Sequence, residues 1–504
     1  MSDGLRWGKV LLRWLVTPFA VSVVGCASTP IYIPEPIPAF MREGSGIAVA
    51  PPETPQYQSG VQSVKDAEKS KDYNPKAENR PSVISLPQAI EESIAYNLRL
   101  RVGMEKVQAA RADLTNSSII PNPTLTADTQ FQPLPGAHPY QQNNGAGPLQ
   151  YDGLVSFPID WFIFGKRKTA MEASRLGVDV AAADFADLVR KQVASTLDAF
   201  YDILEAKAQI KLTQVDLEDL KRIEKIKTDQ IKLGGAGLIE LDRIKLAVVD
   251  AQRELRRREL TLFATRSKIR PMLGRLQVDA QFDITGELGV TGTVPAPSYD
   301  EVILLAEQSR PDILSDMRDI QRAQAAVRLE ERKAYPIVNF QPGLSYQQTK
   351  FITGLPSQRF LDFYLSSTLP TTDRNQGGIA KAQSDLRNRF MTLQADLTDL
   401  RAEVEQAVET YRVALATITA DDPATLKAAK DVRDKTEEAW KAGGLKLLDL
   451  LDAQRAYRDR VRASISSQAD YWRALNRLNA AIGIRAVGEE LPPKDKEPAQ
   501  PPKK

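Results

Sequence analysis

The feature that most constrains this chain is an internal duplication, in which the same landmarks recur about 210 residues apart. Ser85 is the expected N-cap of a helix that opens at Leu86, and a matching helix opens at Tyr299. Three later pairs keep a similar spacing: Pro158 with Pro370, Gly165 with Gly377, and Gly237-Leu238 with Gly444-Leu445. This period is far longer than the roughly 20–50 residues of solenoid repeats, so it indicates a duplicated unit.

Each copy predicts the order helix, strand, loop, strand, long helix, turn and helix, over residues 83–290 and 291–487. The long helices are expected over residues 166–232 and 379–441, with a kink at Pro423. Their apolar residues recur at helical spacing with charged residues between them, which is typical of coiled-coil packing. No stretch has the ~18 uninterrupted apolar residues of a transmembrane helix. The predicted fold class is α+β, mainly α.

Four segments between the helices are predicted to be β-strands: residues about 122–133, 151–164, 335–348 and 358–370. In the last one, Leu361, Phe363 and Leu365 alternate with more polar residues, as in a strand between lipid and a lumen. Pro158 and Pro342 interrupt the pattern. Four strands are too few for a channel-sized barrel, so strands that cross a membrane would require oligomerisation. The aromatic residues expected at the end of the second strand, as an interfacial girdle or as ordinary packing, are Trp161, Phe162 and Phe164.

The N-terminal residues 1–25 have the pattern of a signal peptide, with basic residues followed by a short apolar run. A glycine precedes Cys26, the only cysteine, as in a bacterial lipobox. We therefore expect cleavage and acylation at Cys26; the alternative is an ordinary signal peptide with a chance cysteine. The Pro-rich residues 26–82 are predicted to be an extended linker, and residues 488–504 a disordered tail.

Composition excludes several classes of function. The formal net charge of +2 gives no electrostatic case for nucleic-acid binding. A single His and a single Cys cannot supply a His/Cys zinc site and make a nucleophilic triad a poor expectation. We therefore predict no catalytic residues, no metal site, no cofactor and no enzymatic activity.

Several motifs give the chain its resemblance to a known family. These motifs are Pro121-Asn122-Pro123-Thr124-Leu125, Gly165-Lys166-Arg167, residues 373–379 (DRNQGGI) and residues 447–455 (LLDLLDAQR). With the duplicated order of elements, the chain over residues 85–485 resembles the TolC family of outer-membrane efflux channels. The second and third motifs resemble the strand-to-helix junctions of its CzcC-like, heavy-metal branch.

The resemblance implies a homotrimer whose twelve strands form one barrel in the outer membrane, above a long periplasmic α-helical tunnel. It also implies a passive conduit in a tripartite efflux system, and the CzcC-like junctions imply heavy-metal cations as its cargo. With acylation at Cys26, the conduit would also be lipid-anchored. The partners would be a periplasmic membrane-fusion adaptor protein and an inner-membrane pump of the RND (resistance-nodulation-division) type. The alternatives are a drug, solvent or type I secretion channel of the same family, and a periplasmic coiled-coil lipoprotein scaffold without a pore.

The resemblance also assigns roles to residues at the ends of the long helices. Asp449 and Asp452 share one helix face and would ring the periplasmic aperture, with Asp242 as the counterpart in the first half. The alternative is that Asp449 and Asp452 only stabilise the start of a helix, where the helix dipole favours negative charge. The predicted adaptor-docking tips are Gly237, Leu238, Gly444 and Leu445, although turn formation alone explains the glycines. The predicted strand-to-helix junction residues are Gly165, Arg374, Asn375, Gln376 and Gly377.

Overall fold

The computed structural model describes seven parts of the chain, all within the compact unit Pro38–Lys504. These parts are residues 80–130, 149–233, 237–275, 282–290, 292–348, 356–420 and 423–484. The predicted signal peptide, the lipidation site Cys26, most of the predicted linker and the C-terminal tail lie outside the described residues.

The first half runs from a short strand to the end of a helical hairpin. Its elements are β1 (Val83–Ile84), α1 (Leu86–Tyr96), α2 (Leu98–Ser118), β2 (Thr124–Gln130), β3 (Leu149–Pro158), α3 (Asp160–Ile163), α4 (Lys166–Lys232), α5 (Leu238–Ile269) and β4 (Asp283–Ile284).

The second half repeats most of this order. Its elements are α6 (Tyr299–Ser309), α7 (Pro311–Lys333), β5 (Val338–Gln348), β6 (Gln358–Ser367), α8 (Gln376–Ala420), α9 (Pro423–Lys441) and α10 (Leu447–Ile482).

The first helix of each half is broken near its middle, where the sequence predicted one continuous helix. Ser85 caps α1 as expected, and its N–H donates to Gln88 Oε1 at 2.9 Å. The break comes at Asn97, whose Oδ1 accepts the N–H of Arg99 at 2.7 Å and so caps α2. In the second half the corresponding break lies at Arg310, before the proline that begins α7.

The long helix of the first half begins and ends at the predicted residues. With 67 residues and a rise of about 1.5 Å each, α4 is roughly 100 Å long. The second long run is described as α8 and α9, and the residues between them, 421–422, lie outside the description. Pro423 is the first residue of α9, a position where its missing N–H costs nothing. None of the helices among the described residues is long and apolar enough to cross a bilayer.

The four predicted strands form one antiparallel sheet in the order β2-β3-β5-β6. The prediction of a strand over residues 151–164 was wrong at its end, because β3 stops at Pro158 and α3 follows. Trp161 Nε1 donates to the carbonyl of Pro158 at 2.8 Å, which favours this helical turn. Trp161, Phe162 and Phe164 therefore do not lie on a strand. The parallel pair β1-β4, two residues each, was not predicted.

Three buried clusters hold the helices together. One joins α6, α8 and α10 around Tyr411 and Tyr471, and a second joins β1, α1 and α4 around Phe200 and Ile203. The third lies near the two helical turns and is described below. Each fully buried side chain of this size contributes about 1.5–3 kcal/mol. The helical part of one chain therefore has substantial cores of its own.

Candidate functional site

The sheet has one apolar and one polar face. The register places Phe157 opposite Phe340, and Phe340 opposite Leu365. Leu344 and Leu361 form another pair on the same face. The opposite face carries a row of four glutamines, one from each strand: Gln130, Gln150, Gln347 and Gln358. Most apolar side chains of this sheet are exposed in the single chain, so the apolar face has no covering element among the described residues.

The sheet also has two open edges. Strands β2 and β6 each pair on one side only, and all described residues of β2 are exposed. Their outer N–H and C=O groups have no strand partner within the described chain. Unpaired backbone groups of this kind are tolerated in water but not in hydrocarbon. A sheet with an apolar face and two open edges is therefore incomplete as a single chain.

The two strand-to-helix junctions share one backbone feature. Gly165, before α4, and Asn375, before α8, are both left-handed, with φ of 66° and 56°. Each is the residue directly before its helix, so Asn375, and not Gly377, is the structural counterpart of Gly165. The two residues lie 210 positions apart. No neighbouring atom lies within 4 Å of a Cβ built on Gly165 or Gly377.

The side chain of Asn375 fixes the second junction. Its Nδ2 donates to the carbonyl oxygen of Glu330 at 2.8 Å and to Glu330 Oε2 at 2.7 Å. Burial opposes ionisation of Glu330, but the hydrogen bonds from Asn375 and Lys333 outweigh it and lower the pKa of that carboxyl. A Cβ on Gly378 would collide with Asn375 Oδ1, so any larger residue there would have to displace the Asn375 amide from its bonds to Glu330.

The remaining junction residues make local bonds. The N–H of Arg374 donates to Gln376 Oε1 at 2.8 Å, and Gln376 Nε2 donates to the carbonyl of Thr372 at 3.1 Å. Glu330 was missed by the sequence reasoning, because nothing in its local pattern shows that α7 ends beside this turn.

The two predicted tips lie at one end of the helices, joined by the third cluster. It combines Leu220 and Ile223 of α4, Ile244 of α5, Trp440 of α9 and Leu450 of α10, with further members. Ion pairs from residues adjacent to the cluster tie α4 to α9 and α10. Arg222 lies 3.1 Å from Glu437, and Arg458 lies 3.0 Å from Asp216; each pair bridges α4 to the second half.

The glycines at the tips have different roles. Gly443 is left-handed (φ 78°), and the N–H of Gly444 donates to the carbonyl of Ala439 at 2.9 Å, as in a Schellman C-cap. Gly237 has φ of 140°, and a Cβ there would lie 2.9 Å from Lys227 Cε. Glycines 234–235 of the first tip lie outside the described residues. Leu238 and Leu445 are both exposed.

The three predicted aperture carboxylates are exposed: Asp449 lies in the first turn of α10, and Asp452 and Asp242 lie just past the first turns of α10 and α5. Asp449 Oδ2 accepts the N–H of Lys446 at 3.1 Å, so this carboxylate caps the start of α10. Asp452 and Asp242 make only long contacts of 3.9 Å to Arg455 and Lys245. The contact of Asp449 therefore supports the alternative that this residue stabilises the start of a helix. Asp452 and Asp242 face solvent. Within the described residues, no group of three His, Cys, Asp or Glu side chains is placed to hold a metal ion.

Comparison with solved structures defines the class of fold. The Campylobacter jejuni CmeC outer membrane channel matches with a TM-score of 0.65 at 14% identity, over 80% of this chain and 86% of that one. The outer membrane protein VceC from Vibrio cholerae matches with a TM-score of 0.62 at 16% identity, over 79% and 96%. At such identities the likeness is one of fold: the chain has the TolC-like outer-membrane channel fold.

Sequence comparisons point the same way. The family model described as Outer membrane efflux protein matches residues 302–484, from the start of α6 to the end of α10. Nodulation protein T from Rhizobium leguminosarum bv. trifolii is 23% identical over 490 residues, which are 94% of this chain and 97% of that protein. The second repeat therefore carries the sequence pattern of the outer membrane efflux family.

Proposed function

We propose that this protein is the outer-membrane channel of an efflux system, a passive conduit without catalytic chemistry. The observation that carries the proposal is the sheet, with its apolar face, its row of glutamines and its two open edges. An apolar outer face and a polar inner face are what a transmembrane barrel requires. The match of residues 302–484 to the efflux family supports the same function.

The proposal includes a homotrimer. Four strands from each of three chains make twelve, and joining β6 of one chain to β2 of the next removes every open edge. The helices would continue below the barrel as a periplasmic tunnel. Acylation at Cys26 would add a lipid anchor in the same membrane.

The proposed partners are a periplasmic adaptor and an inner-membrane RND pump. Leu238 and Leu445 are the side chains we propose for adaptor docking, because both are exposed beside the turns that end the helical hairpins. A pump is needed because a passive channel supplies no energy of its own.

Heavy-metal cations are the cargo that we propose from the junction motifs. Asp452 and Asp242, and Asp449 to the extent that capping leaves it free, would line the aperture and attract cations. A passive conduit needs no coordination site, so this cargo requires no metal cluster. The CzcC-like branch rests on the sequence motifs alone.

Membrane fractionation tests the proposal. The protein should stay in the outer membrane after a carbonate wash and should migrate as a trimer before boiling and as a monomer after it. A carbonate-extractable monomer would instead favour the periplasmic scaffold. Deleting the gene should sensitise the cell to the exported cargo, and a panel of metals, drugs and solvents would identify it.

A further inference from the structure

One end of the sheet is bordered by exposed apolar side chains in all four connections. β2 and β5 begin at this end, and β3 and β6 end there. Phe162, four residues after β3, is 76% exposed, and Leu369, two residues after β6, is 79% exposed. Ile120 precedes β2 and Ile337 precedes β5, and both are exposed. We call this row the apolar border.

Hydrogen bonds and a ring contact place the connections of β3, β5 and β6 side by side. Ile159 donates its N–H to the carbonyl of Val338, and Thr368 donates its N–H to the carbonyl of Ile337. The rings of Phe164 and Tyr335 stack with centroids 5.0 Å apart. The apolar border is therefore continuous over β3, β5 and β6, and Ile120 lies at the same end of β2, which pairs with β3.

Three cations lie within a few residues of the apolar border in the sequence. Lys168 follows α3, Arg332 precedes β5 with its guanidinium 5.8 Å from the Tyr335 ring, and Arg374 follows β6. All three side chains are exposed, and among the described residues none has a carboxylate within ion-pairing distance. Three nearby acids are engaged elsewhere: Asp160 pairs with Lys166 at 2.8 Å, Glu330 binds Asn375, and Asp373 accepts the N–H of Asn375.

We propose that the apolar border enters the headgroup region of the outer membrane and that Lys168, Arg332 and Arg374 bind the phosphates of anionic phospholipids. The proposal rests on the channel function proposed above. Large apolar and aromatic residues followed by a layer of cations match the order of acyl chain, interface and headgroup at a membrane surface. A phospholipid layer is favoured over a second copy of this chain, because the border runs along all four strands instead of one open edge.

Trp161 provides a probe at this position. The chain has five tryptophans, two of which lie in the predicted signal peptide. Trp440 is buried in the cluster near the tips, and Trp472 Nε1 donates to the carbonyl of Leu288 within the helical part. Trp161, by contrast, adjoins Phe162, with ring centroids 5.8 Å apart.

The experiment reconstitutes the full-length trimer into vesicles that contain brominated phospholipids, which quench nearby tryptophans. Bromine placed close to the headgroup should quench a component of the fluorescence that Trp161→Phe removes, and bromine at the bilayer centre should quench it less. Brominated phosphatidylglycerol should quench more than brominated phosphatidylcholine. Lys168→Gln with Arg332→Gln should reduce that preference by roughly 30-fold, about fivefold for each charge removed.

Two control variants complete the design. Lys211→Gln with Arg256→Gln removes the same charge from exposed positions on α4 and α5 and should keep the lipid preference. The charge-preserving exchange Lys168→Arg with Arg332→Lys should keep it too, which separates charge from folding. Conductance is recorded from the same vesicles. A conducting trimer whose Trp161 is not quenched, or whose preference survives the double Gln change, overturns this inference alone. Failure to form a trimer overturns the proposed function and this inference together.

Discussion

The sheet and the tips lie at opposite ends of α4, and they differ in what a single chain can bury. At the tips, four helices of both halves enclose Trp440 and Leu450 in a shared cluster. At the sheet, Phe363 and Leu365 stay exposed, and two strand edges stay open. One end of the molecule is complete within one chain and the other is not.

This difference indicates what each end requires from its surroundings. A closed cluster keeps its geometry in water, so the tips would present a preformed surface to the adaptor proposed above. In the proposed trimer, the apolar sheet with its open edges would gain its stability from lipid and from neighbouring chains. Substitutions at the sheet should therefore act on assembly, and exposed substitutions at the tips should act on conduction.

The largest effect is expected from a charge on the apolar face. Phe363→Arg should cost about 2–4 kcal/mol for each chain of the trimer, because the guanidinium would face lipid. The trimer band should disappear from unboiled outer-membrane samples. Tyr364→Arg, the next residue and on the opposite face, is the matched control and should still form trimers. Equal loss in both variants would contradict the assignment of the two faces.

A smaller loss of stability is expected at the junction that the sheet shares with α8. In Asn375→Ala, the residue keeps its left-handed backbone but loses its hydrogen bonds to Glu330. This substitution should destabilise the protein by about 2 kcal/mol. Gly165→Ala should cost roughly 1–2 kcal/mol from its positive φ alone, since no neighbour lies near the added methyl.

Heat dissociation of the purified trimer measures both effects. Asn375→Gly separates the two causes, because it relieves the backbone and removes the bonds. If Asn375→Gly were more stable than the parent protein by the whole relieved backbone cost of about 1 kcal/mol, the bonds to Glu330 would contribute nothing.

At the tips, removing charge should change conduction with little change in stability. Asp449→Asn with Asp452→Asn preserves shape, and the Asn side chain can still accept the Lys446 N–H. Block by divalent cations in planar bilayers should weaken several-fold if these carboxylates ring the aperture. Glu438→Asn, another exposed acid of the same helical end, is the control. Unchanged block in the double variant would exclude the ring.

The smallest effect on stability is expected between the sheet and the tips, where α7 packs against α8. Burial and a hydrogen bond with Asp396 raise the pKa of Asp316 to about 7, and the charges of Asp312 and Asp184 add to the shift. A carboxyl with a raised folded-state pKa stabilises the fold below its ordinary pKa near 4 and loses this contribution as the pH rises towards about 7.

Stability measured against pH tests this sign. Asp316→Asn should flatten the decline between about pH 4 and 7, because an amide does not ionise. A decline of the same size in the variant would place the titrating group elsewhere. The tips and the sheet should be unaffected, as neither contains this pair.

The sequence predicted correctly those features of the fold that neighbouring residues determine by themselves. The bounds of α4 and the N-cap at Ser85 follow from helical periodicity and capping chemistry. The helix α3 was missed because an apolar run of a few residues does not distinguish a strand from a helical turn. The helix break at Asn97 was missed, because a single polar residue inside a helical pattern does not show that one helix ends and another begins there. In the structure the Asn97 side chain donates to the carbonyl of Met272, a contact that the local sequence does not reveal.

The candidate sites also contain features that the local sequence predicts and contacts that it does not. The junction residues around Asn375 could be located from their motif, but their partner Glu330 could not, because the contact depends on where α7 ends in space. The pairing of Gly165 with Gly377 was wrong by two positions, since a left-handed Asn takes the place of glycine. The aperture role of Asp449, Asp452 and Asp242 stays a prediction.

The most direct test of the central claim is single-channel recording of the purified protein in a planar bilayer, with and without divalent cations. A trimeric channel predicts discrete cation-selective openings that divalent cations block. A folded trimer with a tightly closed aperture would be silent, and the Asp449 and Asp452 double variant should then open it. A folded protein that is monomeric and silent, in parent and variant alike, would contradict the account.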